Sequence, residues 1–336
     1  MDTRPWPPSP ILAKLPGSAR LARTYDAASL RAELEDLAEA PWAAIEVHAP
    51  DGTTRESDSI GWQSLRLRHM AAAPRPSAGD FPYLRDYAGS TLLENMPYLA
   101  RLLGDFPAPL RGARLMATRP DTHGPTHSDE KCGLPWGTVR LHVPISTTPQ
   151  ATLTVDGEAH CWNAGDLWYG DFSRPHAVAN TDEAVTRVHL VVDADVTKEL
   201  MALFPEEFRT PSVLDNTLYV RPEVPLGPVD VRSFRCEFDM PALFTSFLET
   251  DAGIFRRQGL VPAAVDCPDG TPVLFIEGIP RADLIHLGEG EFRLGGWTME
   301  RTILIRPNGT GGAEITFRIR NGDECHTLSL HGDRLS

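Results

Sequence analysis

His127 and Asp129 stand two residues apart in the run Thr126-His127-Ser128-Asp129, and another histidine follows in Arg174-Pro175-His176. Two imidazoles and a carboxylate on one face of a metal leave three coordination positions open. An Fe(II) that must take both a bidentate co-substrate and oxygen needs that arrangement. On a barrel strand a His and an Asp two apart can both point inward. Arg187 lies 11 residues beyond His176 in a strand-like run. There a guanidinium could pair with the distal carboxylate of 2-oxoglutarate.

An H-x-D triplet alone is weak, because the chain has 11 His and 46 acidic residues. A second triplet, His331-Gly332-Asp333, stands near the end of the sequence with no partner His after it, and reads as a tail. His123 is four residues before His127, but the intervening Gly124-Pro125 argues against a helix that would pair them. His127 and Asp129 rise above that noise through the order of the motifs downstream of them. Arg140-Leu141-His142 comes on a strand, then Gly165-Asp166-Leu167-Trp168, then Pro175-His176-Ala177-Val178-Ala179-Asn180, then Arg187.

The elements that must position these residues are mainly short strands. Runs at 113–117, 138–145, 151–155, 158–162, 166–170 and 185–193 are β-prone and separated by turn residues. Asp156-Gly157 is a two-residue hairpin signal. Arg140, His142 and Pro144 alternate with Val139, Leu141, Val143 and Ile145, as on a strand with two different faces. Helices are expected at 27–40 behind the cap Asp26, and at 91–104 with Pro97 kinking or splitting it. Residues 1–25 read as Pro-rich and irregular. A short helix is expected at 197–205, another near 240–250, a strand at 272–277, and a closing hairpin through Asn321-Gly322-Asp323-Glu324.

Residues 113–193 resemble the core of the aspartyl/asparaginyl β-hydroxylase family, including the bacterial free-proline hydroxylases. The motifs that carry the resemblance are R-L-H, G-D-x-W, P-H-x-x-x-N, and an Arg before an apolar strand ending in Asp193. The resemblance implies a double-stranded β-helix, a jelly-roll or cupin-like core. It also implies Fe(II), 2-oxoglutarate and O2 as reactants, with succinate and carbon dioxide as co-products. By position, His127, Asp129 and His176 match the catalytic iron ligands, and Arg187 matches the Arg that binds 2-oxoglutarate. Arg140 and His142 match residues lining the co-substrate site. Some members of the family lack the carboxylate ligand; Asp129 makes this chain more like the proline hydroxylases.

The fold expected is therefore mainly β with flanking helices, a jelly-roll core and a smaller C-terminal α+β unit. Residues 1–110 would hold helices packing on the barrel, 111–209 the catalytic core, 210–230 a linker, and 231–336 an accessory unit that could cover the site, form a homodimer interface, or recognise a larger peptide or carrier-bound substrate. The substrate implied is a free amino acid or an amino-acid unit of a peptide. Arg119 is a candidate for its carboxylate, and Trp136 for a lid. Trp162 and Trp168 read as core or pocket wall. Two other readings stay open: a cupin-like metalloenzyme without 2-oxoglutarate, and a non-catalytic jelly-roll binding module.

Composition narrows the partners. The net charge is −14, which repels phosphate backbones and argues against nucleic acid. No apolar run has the ~20 residues of a membrane helix, and the N-terminal residues lack the apolar core of a signal peptide. The five cysteines show no CxxC spacing, so reduced thiols and a cytoplasmic setting are expected.

Overall fold

The computed structural model describes residues 10–37, 40–44, 46–48, 54–56, 61–71, 83–247, 253–257, 259–308 and 311–335. Two antiparallel sheets face each other in the first two-thirds of the chain. The larger has eight strands, in the order Ser18–Thr24, Asp166–Gly170, Thr138–Ser146, Arg187–Asp195, Leu110–Thr118, Trp62–Met70, Ala43–Ala44, with Tyr87–Gly89 also paired to Trp62–Met70. The smaller has four strands: Glu158–His160, Ala151–Val155, His176–Asn180 and Thr122–His123. This is the jelly roll. Part of the segment expected to be irregular, Ser18–Thr24, is instead an edge strand whose Leu21 reaches the core.

Alternation fixes which side chains enter the barrel. Val139, Leu141, Val143, Ile145, Val188, Leu190 and Val192 point to the outer core, where Leu30, Leu99, Leu102 and Phe204 cover them from helices and loops. The opposite faces of the same strands carry Arg140, His142, Arg187, His189 and Asp193 into the space between the sheets. Asp156 and Gly157 both take positive φ (51° and 82°), so the strand pair Ala151–Val155 and Glu158–His160 closes through a two-residue turn. Asp26 caps the helix Ala27–Glu35 through its side chain, and Pro97 opens the helix Pro97–Gly104 after a separate 3-10 turn, Thr91–Asn95.

The C-terminal part is a second barrel. Eight antiparallel strands between Cys236 and Arg334 close on themselves, Cys236 pairing with Arg334. Among the described residues the accessory unit consists of this strand barrel, short turns, the end of the helix Pro228–Ser233 and the helix Ile254–Arg257. The helix expected near 240–250 is absent from its described part: Met240 and Pro241 end a strand and residues 242–245 form turns, while 248–250 lie outside the described residues. Phe238, Phe244, Phe292, Phe317, Ile303 and Ile315 fill this barrel, so it is a packed core rather than a channel. His331-Gly332-Asp333 belongs to its last strand, Glu324–Arg334, with both ionisable side chains exposed, and is not a tail.

Several segments sew the two barrels together. Leu84 bridges to Ala282 in parallel, donating its N–H to Arg281 O (2.8 Å) and accepting from Asp283 N (3.0 Å). A few residues later, Tyr87–Gly89 pairs with the large sheet. Residues 210–230 are held throughout much of their length: Leu218 N donates to Leu134 O, Val220 N to Val196 O and Val224 N to His286 O. Among the described residues no helix is long and apolar enough to cross a membrane.

Candidate active site

His176 begins a strand of the small sheet, and His127 pairs with it from the incoming loop. His127 N–H donates to His176 O (2.9 Å) and His176 N–H to His127 O (2.8 Å). The loop turns so that Asp129 N–H reaches Phe172 O at 2.8 Å. These backbone bonds bring one ligand atom each from His127, Asp129 and His176 to within 4.8 Å of one another. The backbone also sets the rings. His127 Nδ1 lies 3.0 Å from Pro125 O and His176 Nδ1 lies 2.9 Å from Arg174 O. A carbonyl can only accept, so each Nδ1 carries the proton and each Nε2 keeps a lone pair. Burial holds the His176 imidazole below its ordinary pKa, against the Arg174 carbonyl and Asp129, which favour the charged form. A neutral ring is the form that binds metal.

Asp129 is held in turn by Arg140. Arg140 Nη1 donates to Asp129 Oδ2, and Arg140 Nε donates to Asp193 Oδ1 at 2.6 Å. Asp193 takes a further bond from Arg114 at 2.9 Å. Burial would push the Asp193 carboxyl up, but Arg140 and Arg114 outweigh it and hold it well below the usual range. So Arg140, expected to line the co-substrate site, sits in an internal ion-pair chain that fixes the carboxylate of the triad. Sequence reasoning does not single out Asp193 or Arg114 for this role. The two-residue alternation Arg187, His189, Val191, Asp193 could have placed Asp193 on the inward face; its pairing with Arg140 depends on strand register.

Deeper between the sheets lies Arg187, only 3% exposed. Burial pushes its guanidinium down to about 9, and no carboxylate pairs with it among the described residues. Its Nη2 donates to His189 Nδ1 at 3.0 Å. His142 Nδ1 is 3.3 Å from the same nitrogen. Burial, then the charge of Arg187, keeps both imidazoles well below their ordinary pKa and therefore neutral. Their outer nitrogens, His142 Nε2 and His189 Nε2, are buried with no hydrogen-bond partner, as is Trp168 Nε1. Phe172 stacks on His142 at 5.1 Å and Trp162 meets it edge-on at 5.2 Å, closing apolar walls around these atoms. Native proteins seldom leave so many buried polar atoms unsatisfied together. A ligand with anionic oxygens at its far end would satisfy Arg187 and accept from the neighbouring donors.

Two expected substrate residues are placed elsewhere. Arg119 is exposed just beyond Thr118, whose strand partner is Arg187, and the structure does not bring it to the triad. Trp136 is buried against the Lys131 ammonium at the junction with the C-terminal barrel, so it cannot swing as a lid without dismantling that contact. His123 is exposed on its short strand and outside the triad. All five cysteines are free thiols, with Cys132 buried within the loop that carries His127 and Asp129.

The sequence matches the aspartyl/asparaginyl β-hydroxylase family model over residues 25–196, about half of the chain. The chain belongs to that family. Its fold also overlaps solved structures. A 2OG-Fe(II) oxygenase-family oxidoreductase from Burkholderia pseudomallei shares 15% identity, over 53% of this chain and 85% of that one, with a TM-score of 0.37. HygX from Streptomyces hygroscopicus, solved with nickel and 2-oxoglutarate bound, shares 10% identity over 54% and 84%, with a TM-score of 0.34. A predicted oxalate decarboxylase from Thermotoga maritima shares 13% over 46% and 95%, at 0.25. No curated protein matches the sequence. The C-terminal barrel lies beyond the residues that match the family.

Proposed function

We propose that this member of the family is an Fe(II)- and 2-oxoglutarate-dependent oxygenase acting on a C–H bond of an amino acid or of an amino-acid residue in a peptide. The observation that carries this reading is Arg187, a buried guanidinium without a counter-charge among the described residues, on the sheet face that also bears His142 and Arg140. A jelly-roll metal site that used no dicarboxylate would have no reason to keep it, since a buried unpaired charge is costly.

His127, Asp129 and His176 would hold the iron, and Arg187 the far carboxylate of 2-oxoglutarate. The bound pair supplies oxidative power, turning 2-oxoglutarate and O2 into succinate and CO2 while oxidising the substrate. The chain's own residues do the rest. The Pro125 and Arg174 carbonyls fix a proton on Nδ1 of each histidine, so that Nε2 is the nitrogen turned to the metal position. Arg140 orients Asp129. His142 and His189, unable to take up charge at neutral pH, offer hydrogen bonds without adding a cation. Trp162 and Phe172 exclude water, which strengthens each electrostatic contact inside.

The test is succinate formation by anaerobically purified full-length protein given Fe(II), 2-oxoglutarate and then O2, across free amino acids and short peptides. Succinate rising with one of them supports the reading and names its substrate class. Absence of both turnover and 2-oxoglutarate binding by calorimetry would sink it.

A further inference from the structure

The loop that carries two of the triad residues is anchored from the other barrel. Lys131, two residues after Asp129, has φ of +54°, a left-handed turn that sends its side chain away from the triad. Its ammonium is buried in the C-terminal unit. Nζ donates to Glu300 Oε1 at 2.8 Å and lies 5.0 Å from the ring of Phe247, 5.3 Å from Trp297 and 5.8 Å from Trp136. Glu300 also meets Arg301, whose Nε is 3.2 Å away. On the next residue the loop faces the opposite way, with Cys132 buried among Leu153, Val155, Trp162 and Phe172 of the jelly roll. The barrel touches the same loop again where Gly322 N donates to Pro135 O at 2.9 Å.

We propose that Lys131 and Glu300 form a clamp by which the C-terminal barrel sets the position of Asp129, and with it the affinity of the metal site. Lys131 is a positioning residue: it touches neither substrate nor metal and acts through the backbone between itself and Asp129. As far as metal is concerned, the proposal rests on the reading of His127, Asp129 and His176 as ligands. The geometry of the clamp does not. An aromatic cage with one carboxylate is a strong site for an ammonium. Emptying it frees the loop at the point where it leaves the triad.

The experiment uses the full-length chain and three variants: Lys131→Ala, Glu300→Gln on the barrel side, and Trp297→Leu, which keeps both charges. Hydrogen exchange is followed in metal-free protein. The amides of His127, Asp129 and Gly133, which bond to His176, Phe172 and Thr138, are expected to exchange about tenfold faster or more in the variants. Strands Thr138–Ser146 and Arg187–Asp195 should keep their protection. Co(II), used as an optical probe for the iron site, should bind about tenfold more weakly to each variant, at the low end of the effect of removing groups that orient metal ligands. Unchanged loop exchange would overturn the clamp, whatever the metal results. Faster loop exchange with unchanged Co(II) affinity would overturn its effect on the metal. If the unaltered protein bound no Co(II) while its loop exchange still responded, the clamp would stand and the metal reading would fail.

Discussion

A guanidinium at the bottom of a barrel, 3% exposed and facing no carboxylate among the described residues, is a weakness in the ligand-free fold. Arg187→Met should relieve it, raising the melting temperature of the ligand-free protein by an amount equivalent to roughly 1–4 kcal/mol. The same change should weaken 2-oxoglutarate by about 10–100-fold, the worth of a charge-assisted pair, and leave iron affinity near its original value. Calorimetric titration of each ligand and a thermal melt check all three. For the triad, His127→Ala, Asp129→Ala and His176→Ala should each abolish turnover while leaving a cooperative melt, since two of the three side chains are partly exposed. Retained full activity in any one removes that residue from the set. The sequence singles out these four positions because their residue types come in a fixed order along the chain, and the structure brings the three of the triad together. Arg140 was legible as an inward-facing residue, but its role was not. That role is set by Asp193, 53 residues away and on the neighbouring strand.

The strands themselves were readable from alternation, and the boundaries at 138–145, 151–155 and 166–170 agree with Thr138–Ser146, Ala151–Val155 and Asp166–Gly170. The helix expected near 240–250 shows where local pattern loses to tertiary contact. Met240, Phe244 and Phe247 have helical spacing, yet Met240 pairs with Val261 in the barrel. The turn after it is held from outside, with Arg301 Nη1 donating to the carbonyls of Leu243, Phe244 and Ser246 at 3.2, 2.5 and 2.9 Å. No local signal announces an arginine more than 50 residues away. In the loop that leads to His127, Gly124 lies against the Trp62 ring, and a Cβ there would fall 1.9 Å from it. Gly124→Ala must therefore displace either the tryptophan or the loop leading to His127. A loss of about 1–3 kcal/mol is expected, as for other overpacked sites. Denaturant unfolding measures it, and a ΔΔG near zero would show that the ring can move aside.

At the scale of the molecule, the two barrels are joined by polar seams as well as by apolar packing. Glu291 of the C-terminal barrel accepts from Thr302 (2.6 Å), Arg221 (2.5 Å) and Arg320 (2.8 Å), and Arg221 comes from the segment linking the barrels. Burial would push its carboxyl up, but these hydrogen bonds bring it down to about 2 from 4.5. A carboxyl whose folded pKa is depressed contributes stability that is fully present above its unfolded pKa and lost as pH falls through the folded one. Glu291 should thus contribute roughly 2 kcal/mol at neutral pH, after allowing for the solvent exposure of Arg221, and lose it between about pH 4.5 and 2. Glu291→Gln should flatten the pH dependence of the melting temperature over that window; an unchanged profile would count against it. None of these partnerships was visible in the sequence, because each joins Glu291 to another strand of its barrel or to the linking segment.

The Lys131–Glu300 pair spans 169 positions of sequence. A ribosome adding about 5–20 residues per second delivers Glu300 roughly 10–30 s after Lys131. During that interval the nascent jelly roll has its histidines and its aspartate but not the clamp proposed for their loop. Under that proposal a metal would be held tightly only once the C-terminal barrel has been made. A ribosome that stalls between the two barrels would, on the same proposal, release a fragment with a loosely held triad loop and a weakened site for metal.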